Sequence, residues 1–133
     1  MTMPIVLPIT LASAGAAAIL NIWLMVRIGM IRREAKISLG DGGHPPLIAR
    51  MRAQANFIES APIVLILAGA VELARPGSPF LLGAMAIYLL GRVAHGVGMD
   101  GGPLMKLRSV GTLTTMLTLL GLAVWAISIA ADA

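Results

Sequence analysis

The chain contains no cysteine, only two phenylalanines, two tryptophans and one tyrosine, and little charge: 12% of its 133 residues are Asp, Glu, Lys or Arg. Without cysteine there is no disulfide framework, no thiolate metal site and no cysteine nucleophile. The two histidines, His44 and His95, are too few for most metal sites, so no metal is expected. A soluble domain carries about 25% charged residues. The lower share here, with 58% hydrophobic residues and a mean hydropathy of +0.91, points to a chain dissolved in lipid. A net charge of +4 and a pI near 10.8 would suit nucleic acid. The basic residues, however, sit beside apolar runs and few aromatics accompany them, so no nucleic-acid partner is expected.

Long apolar runs are what the chain has in their place. A spanning helix takes roughly 20 apolar residues, and four such helices fit, at about 4–31, 47–74, 79–99 and 108–131. The expected fold is a single all-α integral membrane domain, a four-transmembrane-helix bundle without internal repeats or linkers. Pro4 and Pro8 stand at the start of the first run, and "SAGAAA" in its body offers small residues for close helix packing. The N-terminus lacks the basic lead-in and small-residue cleavage site of a signal peptide, so this run is expected to remain as a membrane helix. "RPGSP", residues 75–79, breaks the second run from the third. Arg32, Arg33, Lys36, Arg50 and Arg52 lie around the first connection, Lys106 and Arg108 around the third, and only Arg75 in the second. The positive-inside rule then places the first and third connections in the cytoplasm and both termini on the opposite side.

The polar residues gather on this basic side. Arg52, Asn56 and Glu59 fall at i, i+4 and i+7, one stripe of the second helix. Arg92, His95 and Met99 form a stripe on the third, and Arg108, Ser109 and Thr112 open the fourth within a turn of one another. All three stripes lie toward the same ends of their helices and can converge on one pocket. Each residue also has a plain structural reading. Arg50 and Arg52 can snorkel to headgroups. Asn56 can serve an interhelical hydrogen bond. His95 alone more often reads as a core histidine, and Ser109 and Thr112 as helix-start residues. Asn21, Arg27 and Glu72 have structural readings as well. Glu59 lies deeper, where an acid is costly, and Arg52 or Arg92 is its expected partner. Several arginines with one carboxylate suit a small molecule bearing more than one carboxylate and an ammonium group, because Arg grips carboxylates bidentately. Glutathione has that charge pattern, as do other zwitterionic metabolites.

"RAQANFIESAP" in the second helix, "SLGDGGHPPL" before it, "GRVAH" in the third and "RSV" opening the fourth resemble the MAPEG family, the membrane-associated proteins of eicosanoid and glutathione metabolism. The resemblance runs from about Ile22 to Ala130. "GRVAH" with "RSV" is similar to the prostaglandin E synthase branch, and "GDGG" with the early Pro62 to the bacterial branch, which implies a bacterial inner membrane. The family implies a homotrimer of four-helix bundles with glutathione, or a related low-molecular-weight thiol, at each subunit interface and the site open to the cytoplasm. Carried over by position, Arg52, Asn56, Glu59, Arg92 and His95 become thiol-binding residues, with Thr112 nearby. Arg108 becomes the arginine that activates the sulfur and Ser109 its assistant. A further arginine from the first helix is implied, with Arg32 and Arg27 both eligible. Gln54 stands where several animal members have a histidine, and Ala55, Met99 and Thr112 depart from the prostaglandin synthase pattern, so prostaglandin synthesis is not implied.

The implied activity is a glutathione-dependent transferase or peroxidase acting on a lipophilic electrophile that enters from the bilayer. Lowering a thiol pKa from about 8.5 to about 6.5 takes about 2.7 kcal/mol and makes the anion the majority form at neutral pH. Two alternatives stand beside it. One is a small proton-coupled multidrug exporter built on an intramembrane acid, against which the neighbouring arginines argue, since they repel cations. The other is a lipid-binding or structural membrane oligomer without chemistry.

Overall fold

The computed structural model describes residues 3–133. Four α-helices follow one another: α1 (Pro8–Ala35), α2 (Pro45–Ala74), α3 (Pro79–Gly98) and α4 (Lys106–Ala131), with a short 3₁₀ turn at Gly102–Leu104 before α4. Proline opens each of the first three helices, where its missing N–H and fixed φ cost nothing. This sets the start of α1 at Pro8 and not at Pro4, and the helix continues to Ala35, past the expected Ile31. Lys36 closes it in the left-handed conformation at φ 56°, its N–H bonded to the Arg32 carbonyl.

The start of α1 is completed by a residue from another helix. Glu72, near the end of α2 and only 1% exposed, accepts hydrogen bonds from the Ile9 N–H (2.8 Å), the Thr10 N–H (2.8 Å) and the Thr10 hydroxyl (2.7 Å). The first N–H groups of a helix have no partner within it, and a carboxylate there also meets the positive end of the helix dipole. α3 is capped locally instead, the Ser78 hydroxyl accepting from the Leu81 N–H.

α3 and α4 share the most extensive contact, α2 touches all the others, and α1 and α4 do not meet. One apolar cluster joins Ile9, Val64, Val71, Leu81, Met85, Tyr88 and Leu122 from all four helices toward the Glu72 end. A second, of Ala17, Leu20, Leu24, Ala53, Phe57 and Ala61, joins α1 to α2. Large apolar side chains such as Ile19, Ile66, Leu90, Leu117 and Ile127 point outward and are more than half exposed. All four helices are long and apolar enough to cross a membrane, and such an outer surface is what a hydrocarbon solvent accepts.

Candidate functional site

The backbones of α3 and α4 come closest near the basic end, where both lack side chains. A Cβ on Gly98 would stand 2.2 Å from the Arg108 backbone nitrogen, and one on Gly111 would stand 2.4 Å from both the Gly91 carbonyl oxygen and the His95 Cβ. Glycine at these positions removes the steric barrier to close approach, as small residues do between membrane helices. It brings the turn bearing Arg108 and Ser109 against the turn bearing His95.

A cavity of about 420 Å³ opens there between α2, α3 and α4. Arg52 and Asn56 line it from α2, His95 and Met99 from α3, and Arg108, Ser109, Thr112, Leu113 and Met116 from α4. A smaller cavity of about 230 Å³ adjoins it deeper along α2 and α4, sharing Asn56, Thr112 and Met116 and adding Glu59, Ser60, Arg92 and Thr115. The three helical stripes therefore meet. The larger cavity carries two guanidinium groups and no acid, and the only carboxylate of the pair, Glu59, lines the smaller one.

Arg92 forms the back of this region and is 1% exposed. Its Nη1 donates to the Thr115 hydroxyl (2.9 Å), and its Nη2 donates to the Asn56 side-chain oxygen (2.6 Å) and to His95 Nδ1 (3.2 Å). Its Nε–H is buried without a partner. Arg92 has no carboxylate beside it; among the described residues, ion pairs link only Arg27 and Arg50 to Asp100. The expected pairing of Glu59 with Arg52 or Arg92 does not form. Arg52 lies seven residues away, about 10.5 Å of helical rise, and Arg92 has turned to Asn56, Thr115 and His95. Glu59 instead sits exposed on the groove, with no hydrogen bond within the described chain.

Within one chain, neither first-helix candidate reaches the cavity. Arg27 pairs with Asp100, donates to the Gly96 carbonyl and lies over the Trp23 ring at 4.6 Å from its centroid. Arg50 joins the same Asp100 at 3.2 Å and donates to the Arg27 carbonyl, so α1, α2 and the end of α3 are tied together. Arg32 donates to the Ile37 and Gly40 carbonyls and shapes the α1–α2 connection. Gln54 faces α1, bonded to Asn21 at 3.2 Å, so its departure from the histidine of several animal members does not touch the cavity. Spacing alone did not single out Thr115, buried in an apolar run, nor the glycines that set the α3–α4 distance. The small-residue pattern at Gly91, Gly98 and Gly111 was the available signal.

The model of the MAPEG family matches residues 10–128, nearly the whole chain. The chain belongs to the MAPEG family. With its four apolar helices, this MAPEG protein is an integral membrane protein. No curated protein matches it individually. The family includes glutathione transferases and peroxidases alongside non-enzymatic members, and its members generally use glutathione as a cosubstrate.

Proposed function

We propose that this MAPEG protein is a membrane-bound glutathione transferase or peroxidase that activates the thiol for attack on a lipophilic electrophile. The observation that carries this reading is the convergence of Arg52, Asn56, His95, Arg108, Ser109 and Thr112 on one cavity, with Glu59 in the cavity adjoining it. Its volume falls in the range of about 300–1,000 Å³ usual for small-molecule sites. The residues fit a polyanionic thiol that also bears an amine. Arg52, Arg92 and Arg108 have no acidic partner among the described residues, and Arg92, which lines the smaller cavity, keeps a buried Nε–H without a partner.

Arg52 and Asn56 would hold carboxylate groups, with Arg92 and His95 behind them, and Glu59 the amine. Glutathione, when bound, supplies a thiol that is ionised to only a few per cent at neutral pH when free. Arg108 contributes a positive charge beside it and Ser109 a hydroxyl donor, both of which favour the anion. Both lie in the first turn of α4, whose dipole adds positive potential at that end. Leu113 and Met116, on the apolar side of the same cavity, offer the electrophile a path from the bilayer.

The groove leaves Arg52, Glu59, Arg108 and Thr112 exposed on one chain. Charged side chains facing lipid cost about 2.5–3.5 kcal/mol each at mid-depth, which supports a homotrimer whose neighbouring copy covers them. The positive-inside rule supports a cytoplasm-facing site with both termini opposite. The test is to titrate glutathione into the purified protein at neutral pH and follow thiolate ultraviolet absorbance. A saturable signal lost in Arg108→Ala is the expected result. Its absence from the unmodified protein would overturn the reading.

A further inference from the structure

An arginine can only donate hydrogen bonds, and this constrains the histidine beside it. Arg92 Nη2 lies 3.2 Å from His95 Nδ1, so that nitrogen must offer a lone pair. A proton on Nδ1 would face the guanidinium. The neutral ring then carries its proton on Nε2. His95 lines the larger cavity, and Nε2 has no hydrogen bond within the described chain and is not among its sealed-off, unpartnered polar atoms. It is the ring nitrogen left to a ligand.

Two residues hold Arg92 in the position that imposes this. Asn56 accepts from Nη2 at 2.6 Å, the same nitrogen that meets His95. Thr115 accepts from Nη1 at 2.9 Å, and its own proton goes to the Gly111 carbonyl at 2.9 Å. That leaves only a lone pair of Thr115 to face Arg92. Gly111 is also the residue against which the His95 backbone packs. The sequence of bonds therefore runs in one direction, from Arg92 to Thr115 and on to the α4 backbone, and from Arg92 to the imidazole.

We propose that the Arg92 guanidinium, clamped by Asn56 and Thr115, fixes His95 as its Nε2–H tautomer and makes it a hydrogen-bond donor to an anionic ligand in the cavity, with Thr115 as a positioning residue. The tautomer stands on this geometry alone. The identity of the ligand as glutathione rests on the reading above.

The experiment is ¹⁵N NMR of histidine-labelled protein in lipid nanodiscs, where long-range couplings show which ring nitrogen bears the proton. Only His44 and His95 give signals, and His44→Gln identifies them. The expected result is a protonated Nε2 and a bare Nδ1 at His95. In Thr115→Val the pattern becomes a mixture of tautomers, and in Thr115→Ser it returns. Thr118→Val, which removes a buried hydroxyl bonded only to the Thr114 carbonyl, leaves the pattern intact. With the loosened donor, Thr115→Val also raises the KM for glutathione roughly tenfold, as loss of a hydrogen bond to a charged group does, with kcat little changed. A proton on Nδ1 in the unmodified protein overturns the proposal, whether or not Thr115→Val folds, and so does an unchanged pattern in a folded Thr115→Val. An Nε2–H tautomer in a protein that gives no thiolate signal would leave this inference standing and overturn the glutathione reading instead.

Discussion

α2 carries two glutamates, and the chain treats them in opposite ways. Glu72 is buried and accepts three hydrogen bonds from the first turn of α1. Glu59, nearer the basic end, is exposed on a groove and has no hydrogen-bond partner within the described chain. The cations divide likewise: Arg27 and Arg50 pair with Asp100, while Arg52, Arg92 and Arg108 have no acidic partner among the described residues. Polar groups in an apolar solvent are expensive unless satisfied. Those whose partners lie within the chain, Arg92 among them through Asn56, Thr115 and His95, hold the helices together, and Arg52, Glu59 and Arg108 are the groups the proposed function assigns to a ligand.

The largest expected effect breaks the structural half of this contrast. Glu72→Ala strips three donors of their acceptor and should lower stability by about 3 kcal/mol, the scale of hydrogen bonds to a charged group, read as a fall in midpoint in thermal or denaturant unfolding in detergent. Arg108→Ala acts on the other half. A thiol pKa returning from about 6.5 to about 8.5 cuts the thiolate fraction at about pH 7 from about three quarters to about 3%, so turnover of a model electrophile should fall about 25-fold, while the unfolding midpoint stays near that of the parent. Glu59→Gln sharpens the comparison with Glu72: the KM for glutathione should rise about tenfold through loss of a charge-assisted contact, again without a stability change. A stability loss equal to that of Glu72→Ala would make Glu59 a structural residue. Smallest is Gln54→Leu, which removes the bond to Asn21 and should cost about 0.6 kcal/mol, the mean for interhelical polar pairs in a membrane, and leave KM alone.

Much of this division could be read from residue order. Apolar run length placed the helices, because the hydrocarbon thickness fixes how many residues a span needs. Helical periodicity brought Arg52, Asn56 and Glu59 onto one stripe, and the two adjoining cavities they line with the α3 and α4 residues follow from that. Partner choice was not legible in the same way. Arg92 is as close in register to Glu59 as an eye for charge could ask, yet its donors go to Asn56, Thr115 and His95, and only packing between three helices decides that. Arg27 and Arg32 looked alike as basic residues near the end of α1. One closes a clamp on Asp100 and the other shapes a turn, because the following loop bends back toward Arg32 through left-handed positions at Lys36, Gly40, Gly42 and Gly43. The α1 start moved from Pro4 to Pro8 because its cap lies more than sixty residues away, beyond the reach of any local pattern.

That distant cap also has a meaning in time. The first helix is synthesised before residue 72, and until α2 is in place the Ile9 and Thr10 N–H groups have no Glu72 to meet. α1 can reach its finished state only after α2 has crossed and delivered its carboxylate to the same side. The first two helices are therefore coupled: the start of one is satisfied only when the end of the other lies beside it.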